Sequence, residues 1–182
     1  FSILKIIDAK NPTTVFLENV KNLLTIDKGT VFTQICKELE DRKYKVSYKV
    51  IDSKNCNSPQ SRQRLYIICK KGAKYEFPIE DDDITIKTVK SILDQTKETE
   101  FFDYNEKYKI EETPTWKKLK EIKINLDLQI NEVTFPKKPF MLYKLINKKT
   151  GKGGRQGERI YTIYSCGPTI CATSGGPGAK TG

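Results

Sequence analysis

Two stretches of the sequence carry residue types able to handle protons and anions. The first is Glu18, followed by Asn19 and Val20, and expected at the end of a buried strand, Thr13 to Leu17. In open α/β sheets, ligands collect beyond the carboxyl ends of the strands. A carboxyl group there, with apolar Leu17 and Val20 close by, is suited to hold a proton and hand it to a ligand. The same position also suits a helix cap or a surface carboxylate. The second stretch is Asn55 to Arg64, NCNSPQSRQR. Ser58-Pro59 enforces an extended or turn backbone. Extended geometry then sends Gln60, Arg62 and Arg64 to one side of the chain. Two guanidiniums on one side, next to a sheet edge, suit a phosphate or a carbonyl oxygen. The plainer reading is a basic edge strand guarded against aggregation.

Other chemistry is excluded by what the sequence lacks. The 182 residues include no histidine, which removes Ser-His-Asp and Cys-His catalysis and most catalytic zinc sites. Five cysteines, Cys36, Cys56, Cys69, Cys166 and Cys171, form no CxxC pair and no metal spacing. They read as reduced, small, buried hydrophobes in a cytoplasmic protein, and no metal is expected. The tail GGPGAKTG imitates a phosphate loop, but Ala179 stands where a glycine must precede the lysine, and no strand leads into it. GKGGRQG misses the dinucleotide fingerprint because Gln156 takes the place of its last glycine. The formal net charge of +10, with a pI near 9.3, favours a polyanionic partner, nucleic acid above all, although many of the lysines are scattered. No apolar run approaches the length of a membrane span, and no membrane partner is expected.

The elements that must position these residues follow from periodicity. Ile3, Ile6 and Ile7 are spaced for a helix over residues 1–10, stopped by Asn11-Pro12. Lys28 to Arg42 reads as a second helix with the stripe Val31, Phe32, Ile35 and Leu39, and with Glu38 and Arg42 as an i,i+4 pair. Tyr44 to Ile51 alternates as a strand, and Leu65 to Cys69 is an apolar strand. This order belongs to part of an open α/β sheet. Beyond Lys71 the pattern weakens. Asp81, Asp82 and Asp83 mark an acidic linker, a short helix is expected at Ile86 to Asp94, and Ile122 to Ile130 reads as strand or irregular. From Thr150 the chain is rich in glycine, which implies tight loops with close backbone approach, around a short strand Arg159 to Tyr164. A domain boundary is drawn near residue 75. Phe1 stands in place of a methionine, so the chain is expected to be an internal piece of a longer one.

Taken together, VFLENVKNLL, SPQSRQRLYII and GRQGERIYTIYSCGPTICATSGGPGAKTG resemble the DNA cytosine-5 methyltransferases, in the family's order. The likeness covers residues 1–72 and 150–182. Residues 73–149 fall where the family's variable target-recognition region begins. The resemblance implies a partial Rossmann-like methyltransferase sheet over residues 1–75, then a small, mostly β or irregular target-recognition region over 76–182. It implies methyl transfer from S-adenosyl-L-methionine to carbon 5 of a cytosine flipped out of double-stranded DNA. Glu18 resembles the carboxyl that protonates ring nitrogen 3. Arg64 resembles the arginine at the ring carbonyl and the nucleophile, and Arg62 its companion. Asn19 resembles the residue bracing the nucleophile loop, and Gln60 falls with it and the arginines on the DNA side. Gln156 and Arg159 resemble the recognition pair facing the bases, with Arg155 beside them. Thr173 and the Gly175-Gly176 backbone resemble the second recognition loop.

The departures are equally specific. The family's Pro-Cys nucleophile loop, the glycine-rich start of its cofactor-binding region and its closing motifs are not in the sequence. The cofactor is therefore expected to be bound mainly elsewhere in the parent, and the chain alone is expected to be inactive. Cys56 takes a position often aromatic in the family. Asn57 replaces a common glycine, which a left-handed turn would tolerate. The resemblance further implies a bacterial or phage modification system, a restriction endonuclease of the same site as its functional partner, and a cytoplasmic setting. A non-catalytic DNA-binding relative and a tRNA-directed enzyme of the family are the alternatives. Salt-sensitive DNA binding through Arg62 and Lys152 is expected of the chain itself.

Overall fold

The computed structural model describes residues 2–78, 85–93, 106–125, 129 and 133–170. They form two compact units, Phe1–Asn55 with Gln63–Asp83, and Cys56–Arg62 with Ile84–Gly182. The segment 56–62 thus leaves the first unit and returns to it at Gln63.

The first unit begins with helix α1, Ser2–Lys10. Asn11 closes it in the left-handed conformation at φ 46°, its N–H donating to the Ile7 carbonyl at 2.8 Å, and Pro12 prevents continuation. Strand β1, Thr14–Val20, follows, so the strand runs past Glu18 instead of ending before it. Helix α2 spans Thr30–Asp41. It starts later than expected because Asp27, Lys28 and Gly29 all have positive φ and make a separate turn. Phe32 and Leu39 are buried on its inner face, with Ile35 and Cys36 partly so. On its wet side Arg42 donates to Glu38 at 2.8 Å and to Asp8 of α1 at 2.7 Å.

Strands β2, Tyr44–Asp52, and β3, Gln63–Lys71, complete the sheet in the order β1-β3-β2. β3 is antiparallel to both neighbours. The mixed α/β arrangement expected from the element order is present, with its three strands in an antiparallel ladder. β1 and β2 run the same way, but β3 lies between them, and no two neighbouring strands of this sheet are parallel. Leu65, Ile67 and Cys69 of β3 are almost fully buried, and with Val15, Leu17 and Val46 they face the two helices. The opposite face carries Phe16, Glu18 and Val20 of β1 beside Arg64 and Tyr66 of β3, and Phe16 is 61% exposed.

The second unit holds β4, Tyr108–Glu112, helix α3, Pro114–Asn125, β5, Met141–Asn147, and β6, Arg159–Tyr161. The strands form an antiparallel sheet in the order β4-β5-β6. Helix α3 corrects the expectation of strand or irregular structure at Ile122 to Asn125, while residues 126–128 and 130 of that stretch lie outside the described residues. Its start is written in Thr113-Pro114: the Thr113 hydroxyl accepts the Trp116 N–H at 3.3 Å as an N-cap, and proline occupies the first helical position. The lysine-rich turns that follow are good helix formers, so the charges that looked scattered ride on one helix. Between Ile86 and Asp94 only a single tight turn forms, Val89–Ile92, and Asp94 lies outside the described residues. The strand expected to reach Tyr164 stops at Tyr161, because the Thr162 hydroxyl accepts the Tyr164 N–H at 3.2 Å and turns the chain.

Trp116, Phe135, Phe140 and Tyr164 pack ring against ring, with Phe135 stacked on Tyr164 at 6.0 Å. Tyr108 and Leu145 are buried beneath the sheet. The close backbone approach expected of the glycines is real at Gly153, where a β-carbon would lie 2.0 Å from the Leu145 carbonyl oxygen. Asp81, Asp82 and Asp83 lie outside the described residues.

Candidate functional site

In the first unit, Glu18 and Arg64 meet. Glu18 pairs across the sheet with Tyr66, and Arg64 with Val20, so the two side chains are diagonal neighbours on the face away from the helices. Arg64 Nε lies 2.9 Å from Glu18 Oε1, and Arg64 Nη1 donates to the Gln63 carbonyl at 2.9 Å. The arginine side chain is only 18% exposed, while the carboxylate is 44% exposed. The guanidinium is thus seated from two sides, and the carboxylate keeps a face open to a ligand. Phe16, Val20 and Tyr66 flank the pair, and the Phe16 and Tyr66 rings are 5.8 Å apart. At the end of the strand, Lys21 Nζ donates to Gln63 Oε1 at 3.1 Å and ties β1 to the start of β3. Asn19 turns the other way, its Oδ1 accepting the Val20 N–H at 2.8 Å.

Asn19 and Glu18 also reach the rim of an apolar cavity of about 540 Å³, formed by β1, α1 and α2 and lined by residues such as Leu4, Leu17, Leu23 and Ile35.

Gln60 and Arg62 belong to the second unit. Gln60 forms a parallel bridge with Gly167, and its Nε2 donates to the Pro168 carbonyl at 3.4 Å. Around it, Ser61 N–H donates to Gly167 O at 2.8 Å, Gly167 N–H to Pro59 O at 2.6 Å, and Thr169 Oγ1 to Ser61 O at 2.8 Å. The SPQSR segment is therefore strapped to the CGPT segment, a partnership that local sequence does not announce. Arg62 ends this strap and is half-buried. Asn57 opens it with φ 62°, the left-handed turn that asparagine tolerates.

The glycine-rich stretch holds Arg155 exposed, its N–H donating to Glu158 Oε2 at 3.1 Å. Gln156 begins a single turn, Gln156–Glu158. Arg159 opens β6, and its Nε donates to the Gly154 carbonyl at 2.7 Å. Arg159 stands opposite Lys144 across the β5–β6 ladder, two cations facing each other. Thr173, Gly175 and Gly176 lie outside the described residues. Lys107, Asn147 and Thr150 were not singled out from sequence, yet they line one hollow with Lys152 and Arg155. The available signal was Asn147 followed three residues later by Thr150-Gly151, which marks a tight turn.

The described cysteines are free, and the described residues hold no cluster able to bind a metal ion. Cys69 and Cys166 are buried and Cys36 is half-buried, but Cys56 is exposed, which corrects the expectation that all are buried. Cys56 ends a short turn, Ser53–Cys56, none of whose residues is buried. Burial, with a smaller contribution from Cys36, pushes the Cys69 thiol up to about 11. Among the described residues no helix is long and apolar enough to cross a membrane.

Fold and site define a mixed α/β protein of two units. The model of the C-5 cytosine-specific DNA methylases matches residues 1–171, and the chain belongs to that family. It is 37% identical over 101 residues to the Type II methyltransferase M.Bsp6I of Bacillus sp. (strain RFL6), covering 52% of this chain and 32% of that protein. It is 30% identical to the Type II methyltransferase M.HhaI of Haemophilus parahaemolyticus, over 100% of this chain and 50% of that protein. The chain thus spans half or less of the length of these curated relatives. Among solved structures, the Dnmt2 methyltransferase of S. pombe aligns with a TM-score of 0.41 and 18% identity, over 58% of this chain and 34% of that one.

The family uses S-adenosyl-L-methionine, and the described residues do not make a cradle for it. The apolar cavity of the first unit is lined by two carboxylates, Glu18 and Glu38, but by no cation for the methionine carboxylate and no glycine whose backbone could approach closely.

Proposed function

We propose that the protein carrying this chain is a DNA cytosine-5 methyltransferase of a bacterial or phage restriction-modification system. Residues 1–75 form part of its catalytic domain, and residues 76–182 belong to its target-recognition region. S-adenosyl-L-methionine supplies the methyl group, and double-stranded DNA supplies the flipped cytosine. A cytoplasmic setting and a cognate endonuclease acting on the same DNA site belong to the same reading.

The observation that carries it is the Glu18–Arg64 pair, 2.9 Å apart on the open face of the sheet. Carbon 5 of cytosine becomes nucleophilic once a thiolate adds to carbon 6 and the ring is protonated at nitrogen 3. Glu18, held in place by Arg64, hydrogen-bonds and protonates nitrogen 3. Arg64 is a bidentate donor and meets the neighbouring ring carbonyl with its remaining N–H groups. Such general-acid assistance contributes roughly 10²–10⁴-fold in rate. Arg62 meets a DNA phosphate or the nucleophile loop, and Asn19 braces the loop that brings the thiolate. That thiolate comes from a Pro-Cys loop elsewhere in the protein, so the 182-residue chain by itself does not turn over. Gln60, Arg155, Gln156, Arg159, Thr173, Gly175 and Gly176 contact DNA.

The test is transfer of a labelled methyl group by the full-length protein to duplex DNA and, in parallel, to tRNA. Label in cytosine of DNA is the expected outcome. Label in tRNA alone would replace the substrate, and DNA binding without transfer would leave a non-catalytic reader.

A further inference from the structure

The hollow at the end of the second unit's sheet has a volume of about 390 Å³ and is lined by Lys107, Tyr108, Asn147, Lys152, Arg155 and Glu158, among others. Its cations project from backbone that is pinned at each position. The Asn147 Oδ1 accepts the N–H groups of Lys149 and Thr150 at 2.9 and 3.1 Å. The Lys152 carbonyl accepts the Asn147 N–H at 2.9 Å, and the Lys107 carbonyl accepts the Lys148 N–H at 3.0 Å. Gly153 then lies so close to β5 that no other residue fits. Lys107, Lys152 and Arg155 themselves are exposed.

The one lining carboxylate, Glu158, is buried and already accepts the Arg155 N–H at 3.1 Å. Three cations therefore face the hollow against a single engaged carboxylate. Lys144 and Arg159 stand opposite each other on the adjoining strands, with Glu111 of β4 opposite Lys144 on its other side, so these cations are partly offset and the charge of the hollow rests on Lys107, Lys152 and Arg155. A rigid loop that gathers positive charge around a hollow is suited to one compact anion with several acceptor oxygens.

We propose that this hollow is a docking site for a single backbone phosphate of DNA, held by Lys107, Lys152 and Arg155. The inference rests on the reading of the protein as DNA-directed and deepens it. Here the second unit gains its register on the duplex, independently of base sequence.

The test uses the full-length protein, a mixed-sequence duplex, and the double variant Lys107→Gln/Lys152→Gln, which keeps the aliphatic stems. Binding is measured between about 50 and about 200 mM salt. One lost phosphate contact makes the slope of log K against log salt shallower by about 0.9, equally for every DNA sequence. In a duplex scanned with neutral methylphosphonates, one position weakens the parent protein and leaves the double variant unaffected. An unchanged slope, with every methylphosphonate acting alike on both proteins, overturns the proposal. Saturation of the hollow by inorganic phosphate with no change in the DNA slope overturns it too, in favour of a free-anion site. Failure of the parent protein to bind any duplex instead sinks the functional reading on which it rests. If the double variant unfolds, Lys152→Gln alone, with its unfolding transition monitored, gives the same slope comparison.

Discussion

In the first unit the core is continuous and mostly aliphatic, from Ile7 on α1 through Leu39 on α2 to Leu65 and Ile67 on the central strand, with Phe32 and Tyr44 as its two rings. In the second, four rings drawn from separate stretches, Trp116, Phe135, Phe140 and Tyr164, pack against one another, and Tyr108, Leu145 and Cys166 are buried as well. The chemistry divides along the same line. The first unit seats its carboxylate and guanidinium on neighbouring strands, where cross-strand pairing fixes their separation. The second sets the cations of its hollow, Lys107, Lys152 and Arg155, on loops. Reactive groups need the rigidity of a sheet, whereas groups that only meet a charged backbone tolerate a loop built on a scaffold.

The largest effect expected from this division is on turnover. Glu18→Gln in the full-length protein lowers methyl transfer by roughly 10²–10⁴-fold and leaves DNA affinity nearly unchanged. Arg155→Ala does the reverse, weakening binding with little change in the single-turnover rate. Filter binding beside single-turnover kinetics separates the two, and equal losses in both assays for both variants would erase the distinction.

Next comes Gly153→Ala. The added β-carbon meets the Leu145 carbonyl oxygen and forces the turn off β5. A cost of about 3 kcal/mol, confined to the second unit, is expected in denaturant unfolding. The same change at Gly72, where nothing lies within 4 Å, costs less and acts only through its φ of 89°.

The buried thiol of the first unit provides a pH test. Cys69 is held at about 11 against an ordinary value of 9.0, so the unfolded chain ionises first. Its contribution is complete below pH 9.0 and is lost as pH rises towards about 11. The unfolding midpoint of the parent is expected to fall across that window more steeply than that of Cys69→Ala. Thr113→Ala is the smallest change, about 1 kcal/mol, from loss of the cap on α3. Its hydroxyl also donates to the Met141 carbonyl at 2.9 Å, so circular dichroism and tryptophan fluorescence should report the loss together.

Legibility followed the same division. Helices α1 and α2 and strand β2 were readable because each shows several turns or alternations of one period, and β3 because Leu65 to Cys69 is an unbroken apolar run. The Asn11-Pro12 stop and the Glu38–Arg42 pair were readable because they are local. Helix α3 was missed because its apolar positions are few, and its signal lay in the Thr113-Pro114 cap and not in a stripe. The strap between Ser61 and Gly167 had no sequence signal at all, since its two halves are polar, short and far apart along the chain.

Residue order alone established which groups can carry charge or a proton, that no histidine chemistry is available, and which faces of the regular elements are apolar. Local stereochemistry suffices for that. It could not establish that β3 inserts between β1 and β2, which sets Arg64 beside Glu18, or that Lys107 comes to share a hollow with Lys152. Strand order and loop closure are settled by competition among distant segments for burial and backbone hydrogen bonds, and that competition is resolved only when the whole chain packs.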